Sequence, residues 1–302
     1  MGIEEFAPTA YITAKMSFFR GPTPPSPPTK SPSAPQTMPQ PLRVDVHTHV
    51  FHPKIADKVV TQLEAHYHIP PIGNGRWEDL AAHLDRAGID ACFVHSAATT
   101  PLQVIPANDW AIALNDNPRI VPFGTMHPDF EDMTGELARL HDRGIRGIKL
   151  HPDFQGFRLD DPKLLPLFGE MEGSFTLMVH VGDSLPPDQN PSCPYKVAAI
   201  KRRFPKLQII AAHFGGYRHW QYVTDALHGL DVYMDTSSSL FAIPQPLLED
   251  IFSHFPRHLF LFGSDYPLFR DEDEVQELQR RLRLSDDELE EILTNGSRLG
   301  LC

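Results

Sequence analysis

The chain has 302 residues, 41% of them hydrophobic and 19 of them Phe, enough apolar surface for one large barrel or two ordinary domains. Its 39 acidic against 27 basic residues give a formal net charge of -12, which argues against a nucleic-acid backbone as main partner, and no stretch approaches the roughly 20 apolar residues of a membrane span. Cys92, Cys193 and Cys302 are odd in number and widely spaced, so no disulfide framework or CxxC site is expected and a reducing, cytoplasmic setting fits.

The elements begin after a different material. Pro22 to Pro41 reads PTPPSPPTKSPSAPQTMPQP, a composition that cannot bury a core, so residues 1–41 are expected to be a disordered Pro-rich extension. Met1 to Arg20 lacks the pattern of a secretory signal, and Glu4 and Glu5 weaken the alternative of an organellar presequence. The folded domain is expected over 42–302.

It opens on RVDVHTHVFHP, Arg43 to Pro53, where Val44 and Val46 alternate with Asp45 and His47 as in a strand. Residues two apart on a strand share a face, so His47 and His49 project together, and two same-facing imidazoles supply half of a four-coordinate metal site. Helical patterning resumes at Trp77 to Ala87 and stops at Gly88. Apolar runs short enough for buried strands then alternate with helical stretches: Ile89–His95, Arg119–His127, Ile145–His151, Phe175–Gly182, Leu207–Gly216, Asp231–Ser238 and His258–Pro267. Helical patterns over Ala107–Asn115, Leu137–Arg143, Lys163–Met171, Tyr195–Phe204, Trp220–Leu227 and Leu247–Phe255 separate them, and Glu272–Leu282 and Asp286–Leu293 close the chain.

Eight strand candidates, near-continuously apolar and each followed by helix, predict an α/β fold, a (β/α)8 TIM barrel. The rival, an open doubly wound sheet, would more often carry a Gly-rich phosphate turn after its first strand, and GxGxxG is absent there. In such a barrel function sits at the carboxyl ends of the strands. The polar residues fall at those ends: His47 and His49, Lys149 and His151, His180, His213 and Asp265.

HTH at His47 to His49, GIKLHP at Gly147 to Pro152, MVHVG at Met178 to Gly182, AAHFGG at Ala211 to Gly216 and GSDYP at Gly263 to Pro267 together resemble the amidohydrolase superfamily. The likeness is to its amidohydrolase-related branch of metal-dependent barrels, which includes proteins like aminocarboxymuconate semialdehyde decarboxylase. It runs from about Leu42 to the C-terminus. The resemblance implies that His47, His49, His180 and Asp265 are metal ligands. It also implies that Asp265 or His213 moves the proton of the reaction, with a supporting hydrogen bond behind the metal ligands as the plainer role for His213. An ion held by imidazoles and one carboxylate lowers the pKa of bound water toward about 7.

Lys149 carries two readings. It is either an uncarboxylated ammonium that receives a substrate carboxylate or carbonyl beside one metal, or, as in binuclear members, a carboxylated bridge between two. The single-metal reading is preferred, with Lys149 and His151 as substrate-binding residues and zinc as the expected ion. Manganese, iron and cobalt suit such mixed ligation too. Arg158 is read as a surface ion pair rather than a carboxylate clamp, Phe154 and Phe157 as packing, and the acidic run Asp271 to Glu274 as favourable charge at a helix start.

The expected function is a metal-dependent hydrolase that uses an activated water on a small carboxylate- or carbonyl-bearing substrate, since no GxSxG nucleophile setting is present. A nonoxidative carboxy-lyase acting on an unsaturated or aromatic acid is the second reading, and a noncatalytic binding protein the third. Beyond a small-molecule substrate, no nucleic acid or membrane is expected as a partner; a homodimer is the ordinary expectation.

Overall fold

The structure, a computed structural model, describes residues 41–302, so the expected extension lies outside the described residues except for Pro41. The strands are β1 (Val44–Thr48), β2 (Ala91–Val94), β3 (Ile120–Thr125), β4 (Gly147–Leu150), β5 (Thr176–Val179), β6 (Gln208–Ala211), β7 (Tyr233–Asp235) and β8 (Phe260–Leu261). All pair in parallel, in sequence order. Beyond the end of β8 the chain returns to β1: Val46 N donates to Phe262 O at 2.9 Å, Asp265 N to His47 O at 2.8 Å and His49 N to Tyr266 O at 2.9 Å. These bonds close the expected barrel.

The helices are α1 (Ala56–Tyr67), α2 (Trp77–Ala87), α3 (Val104–Leu114), α4 (Met133–Asp142), α5 (Pro152–Gln155), α6 (Leu165–Met171), α7 (Pro194–Arg203), α8 (Val223–Leu227), α9 (Gln245–His254), α10 (Asp271–Leu282) and α11 (Asp286–Asn295). Local chemistry explains several boundaries. Gly88 takes φ +66 after α2, the left-handed stop its sequence signalled. Pro194 sits at the start of α7, and Ser285 and Glu288 form a reciprocal capping box on α11. Two helices are not expected from the sequence: α1 lies between the first strand and Trp77, where no element is assigned, and α5 is a single turn directly after β4.

Alternation along the strands sorts two layers. Val44, Val46, Phe93, Phe123, Met178, Ile210 and Leu261 pack together inside the barrel. Their neighbours Cys92, Ile148, Leu150, Leu177, Val179 and Ile209 face the surrounding helices. Lys149 therefore has the inward phase of its strand, between outward Ile148 and Leu150. No helix among the described residues is long and apolar enough to cross a membrane.

Candidate metal centre

Lys149, His151, His180 and Asp265 keep the inward phase of their strands as the chain leaves each carboxyl end. Two other positions break it. On β1, Val44 and Val46 already point inward while Asp45 contacts Ser264 outside, so strict alternation would turn His47 outward with Asp45. A register shift between Asp45 and Thr48 changes the phase, and Asp45 accepts the His47 N–H at 2.9 Å across it. On β6, Ala212 points inward and His213 follows immediately; a left-handed backbone, φ +64, turns its ring into the same mouth. Asp265 is also left-handed, at φ +66. Non-glycine residues held in this region cost energy and gather at functional sites.

All seven nominated side chains, His47, His49, Lys149, His151, His180, His213 and Asp265, line one cavity of about 980 Å³ at the carboxyl ends of the strands. The His47 ring lies 5.3 Å from His49 and 5.1 Å from His213, and His180 lies 4.8 Å from His213. Donor atoms of His47, His49 and Asp265 fall within 4.8 Å of one another. His180 enters through its neighbour: its Nδ1 is 3.0 Å from His213 Nε2.

Partners of the outer ring nitrogens fix the tautomers. Nδ1 of His47 faces Asp235 Oδ2 and Ser237 Oγ, each at 2.9 Å, and so bears the hydrogen. Its Nε2 is left as the lone-pair atom, 3.2 Å from the Lys149 ammonium and 3.6 Å from Asp265 Oδ1. His49 donates from Nδ1 to the His95 carbonyl at 3.1 Å, which leaves Nε2 bare at 3.2 Å from Asp265 Oδ1. The same logic gives His180 a hydrogen on Nε2, bonded to Gly182 O at 2.9 Å, and His213 a hydrogen on Nδ1, bonded to Ser237 O at 3.1 Å. Thus His180 Nδ1 meets His213 Nε2, and His49 Nε2 meets a carboxylate oxygen, with no hydrogen between either pair in the neutral rings. A proton or a cation reconciles such contacts, and two neutral imidazoles with a carboxylate form the donor set of a divalent ion. The residues fit the group that the sequence motifs imply.

Charge states agree with that fit. Burial pushes the His47 imidazole down to about 4, with the Lys149 ammonium adding to the effect. Burial likewise holds His151 and His180 well below the usual range and lowers His213. For Asp265 burial works upward, but the facing His47, His49 and His213 rings outweigh it and hold the carboxyl well below its ordinary value. Ser238 Oγ donates to its Oδ2. Burial lowers Lys149 to about 8 against the pull of Asp235 and Asp265.

Three residues that sequence reasoning passed over support this arrangement. Asp235, at the end of β7, orients His47 and accepts the backbone N–H groups of His213 at 3.1 Å and Ser237 at 3.0 Å. Ser237 bonds Asp235, His47 and His213. His95, at the end of β2, bonds Val46 O at 2.8 Å and presents its own carbonyl to His49. The signal for Asp235 was available: like Asp265, it is an acid that ends an apolar strand run.

The residues around these seven sort clearly. His151 lies stacked between His180, 3.9 Å between centroids, and Phe154, 4.1 Å, with its Nε2 3.3 Å from Tyr67 Oη. Phe154 is thereby part of the cavity wall, while Phe157 is buried packing. His127 bonds the Gln155 carbonyl at 3.3 Å and does not line the cavity, whereas His52 does, beside Trp110. Arg158 is an exposed ion pair with Asp160. Asp153 is engaged by Ser192 at 2.9 Å and Asn190 at 3.2 Å rather than by Lys149.

Residues 44–297 match the family described as Amidohydrolase. A comparison with curated proteins returns no match. Among solved structures, an uncharacterized TIM-barrel protein from Bordetella bronchiseptica superposes with a TM-score of 0.69 at 17% identity, covering 85% of this chain and 97% of that one. The 2,6-dihydroxybenzoate decarboxylase from Rhizobium gives 0.62 at 18%, covering 86% and 98%. The 5-carboxyvanillate decarboxylase from Novosphingobium aromaticivorans, solved with manganese and 4-hydroxy-3-methoxy-5-nitrobenzoic acid, gives 0.64 at 17%, covering 85% and 95%. At these identities the likeness speaks to the fold.

Proposed function

We propose that this chain, which belongs to the amidohydrolase family and is an enzyme of that superfamily, is a metal-dependent nonoxidative decarboxylase of an aromatic or unsaturated carboxylic acid. The sequence ranked a hydrolase first; the named activities of the structural neighbours and the character of the cavity favour the carboxy-lyase. The observation that carries the reading is Lys149. Its ammonium, 1% exposed, is, among the described residues, the one non-histidine cation at the polar end of a largely apolar cavity, beside the His47, His49 and Asp265 cluster. A buried ammonium without a carboxylate in salt-bridge contact is poised to receive one from a ligand.

His47, His49 and Asp265, with His180, would hold one divalent ion. Bound there, the ion supplies Lewis acidity that draws charge from the substrate as the carbon–carbon bond weakens. The donor set suits zinc and manganese alike, and the manganese of the solved neighbour makes that ion the first to test.

The chain's own residues do the rest. Lys149 Nζ anchors the carboxylate, and burial of that end of the cavity strips it of water, so negative charge that spreads into carbon as neutral carbon dioxide leaves is no longer opposed by hydration. The electron pair of the broken bond stays on the substrate carbon and takes a proton there. We assign its delivery to Nε2 of His213, bare in the neutral ring, which takes a proton from solvent and passes it to that carbon while Ser237 holds the ring in place. Asp265 balances the charge of that proton. His151, braced by Phe154 and Tyr67, flanks the substrate.

The test is manganese-loaded protein against a panel of hydroxybenzoates and unsaturated acids, with lactones, amides and esters as the second arm. Carbon dioxide release with a carbon-bound solvent proton in the product is expected. Hydrolysis of the second arm without carbon dioxide from the first would overturn the assignment.

A further inference from the structure

Helix α1 packs unusually little of itself. Of its twelve residues only Ala56 is buried. Yet Ile55, Val59, Leu63 and Tyr67 recur every four residues, the spacing that puts side chains in one row on a helix, and this apolar row lines the cavity. Pro106 and Trp110 of α3 line the same cavity. The Trp110 indole N–H is spent on the Val50 carbonyl at 2.9 Å, so the ring offers hydrocarbon to the cavity. At about 980 Å³ the space sits at the upper end of ordinary ligand pockets, and a single-ring acid anchored at Lys149 leaves most of it unfilled.

Charge restricts the occupant further. Among the described residues no arginine lines the cavity, and the lysines that do are Lys149 at the buried polar end and Lys54, exposed, just before α1. Asp109, at the rim, is paired with Arg139 at 2.8 Å. A second carboxylate carried toward α1 would lose its water and find no buried cation in return.

Resting on the carboxylate-binding reading above, we propose that the substrate is a monocarboxylate with an extended apolar body, its acid end at Lys149 and its hydrocarbon lying between the α1 row and Trp110. The ligand then completes the packing that α1 lacks in the protein alone.

The experiment is calorimetric titration of the full-length protein, metal-free and manganese-loaded, with 4-alkylbenzoates from benzoate to 4-hexylbenzoate, and with terephthalate. The dissociation constant should fall about two- to fourfold per added methylene. Terephthalate should bind no better than benzoate. Leu63→Asp should abolish the chain-length dependence and leave benzoate affinity intact, which also reports that the variant is folded. Amide exchange in α1 should slow with the long members only. Affinity flat along the series, or tightest for terephthalate, overturns the proposal. Failure of every member to bind overturns it together with the carboxylate reading, whereas an intact slope without carbon dioxide release sinks the decarboxylase assignment alone.

Discussion

Nε2 of His49 lies 3.2 Å from Oδ1 of Asp265, and the hydrogen of the neutral ring is already committed to the His95 carbonyl on its other side. A bare lone pair held against a carboxylate oxygen is an arrangement that lacks a positive charge. It is repeated nearby, where His180 Nδ1 meets His213 Nε2 at 3.0 Å. Residues 47 and 265 are joined directly by a backbone hydrogen bond of 2.8 Å, so the site is built across the seam that closes the barrel.

The outer partner of His47 should matter as much as the ring itself. Asp235 fixes the tautomer that exposes Nε2, and removal of such a partner typically weakens metal affinity 10- to 100-fold. Asp235→Asn, which keeps the shape and loses the charge, should lower manganese or zinc affinity by that factor in a chelator competition, with the circular dichroism spectrum unchanged. Unaltered affinity would remove Asp235 from the site.

Lys149 separates the one-ion and two-ion arrangements. Its Nζ is 3.2 Å from His47 Nε2, and an uncarboxylated side chain there binds substrate, not metal. Elemental analysis of wild type and Lys149→Ala should therefore give one ion per chain in both, while the benzoate dissociation constant rises roughly 10- to 100-fold as a charged hydrogen bond is lost. Two ions falling to one or none in the variant would establish a bridging lysine.

What the sequence disclosed, and what it concealed, follows from where signals are local. Strand runs between helical patterns gave the barrel, because strands covered on both faces are nearly all apolar. Helix α2 was legible to its end residues because Gly88 marks its stop. Helix α1 was not, because its apolar row faces a cavity and most of its surface is wet, so the segment from Ala56 to Tyr67 is too polar to stand out. Polar residues at strand ends identified seven cavity-lining side chains. Strand alternation, however, gave the right pairing of His47 with His49 for an incomplete reason: a register shift turns them inward, and nothing in RVDVHTH announces it. Asp235 and Ser237 were passed over because their work is to hold other side chains, a role fixed by contacts 188 and 190 residues away in sequence.

Gly182 ties backbone to site. It adopts φ +83, an added Cβ would come within 2.3 Å of the Tyr217 carbonyl oxygen, and its own carbonyl orients His180. Gly156 is also left-handed, at φ +71, with nothing within 4 Å of an added Cβ. Gly182→Ala should cost roughly 2 to 4 kcal/mol in urea unfolding and Gly156→Ala only about 1 kcal/mol, the left-handed penalty without the collision. Equal losses would place the strain elsewhere than at Tyr217.

Glu274 in α10 gives a pH signature of its own. The residue is buried, its Oε2 has no hydrogen-bond partner, and burial, with Glu277 and Asp265 adding repulsion, pushes its carboxyl up from 4.5 to about 8. Between those values the folded chain keeps a proton that the unfolded chain has released. The contribution is thus fully present below about pH 4.5 and is lost as pH rises through about 8. At about 1.4 kcal/mol per pKa unit the loss amounts to roughly 2 to 5 kcal/mol. Glu274→Gln stays neutral at every pH and escapes it. The melting temperature of the variant relative to wild type should climb steadily from pH 5 to pH 8, and a difference that stays level over that range would mean Glu274 titrates as an ordinary surface carboxylate.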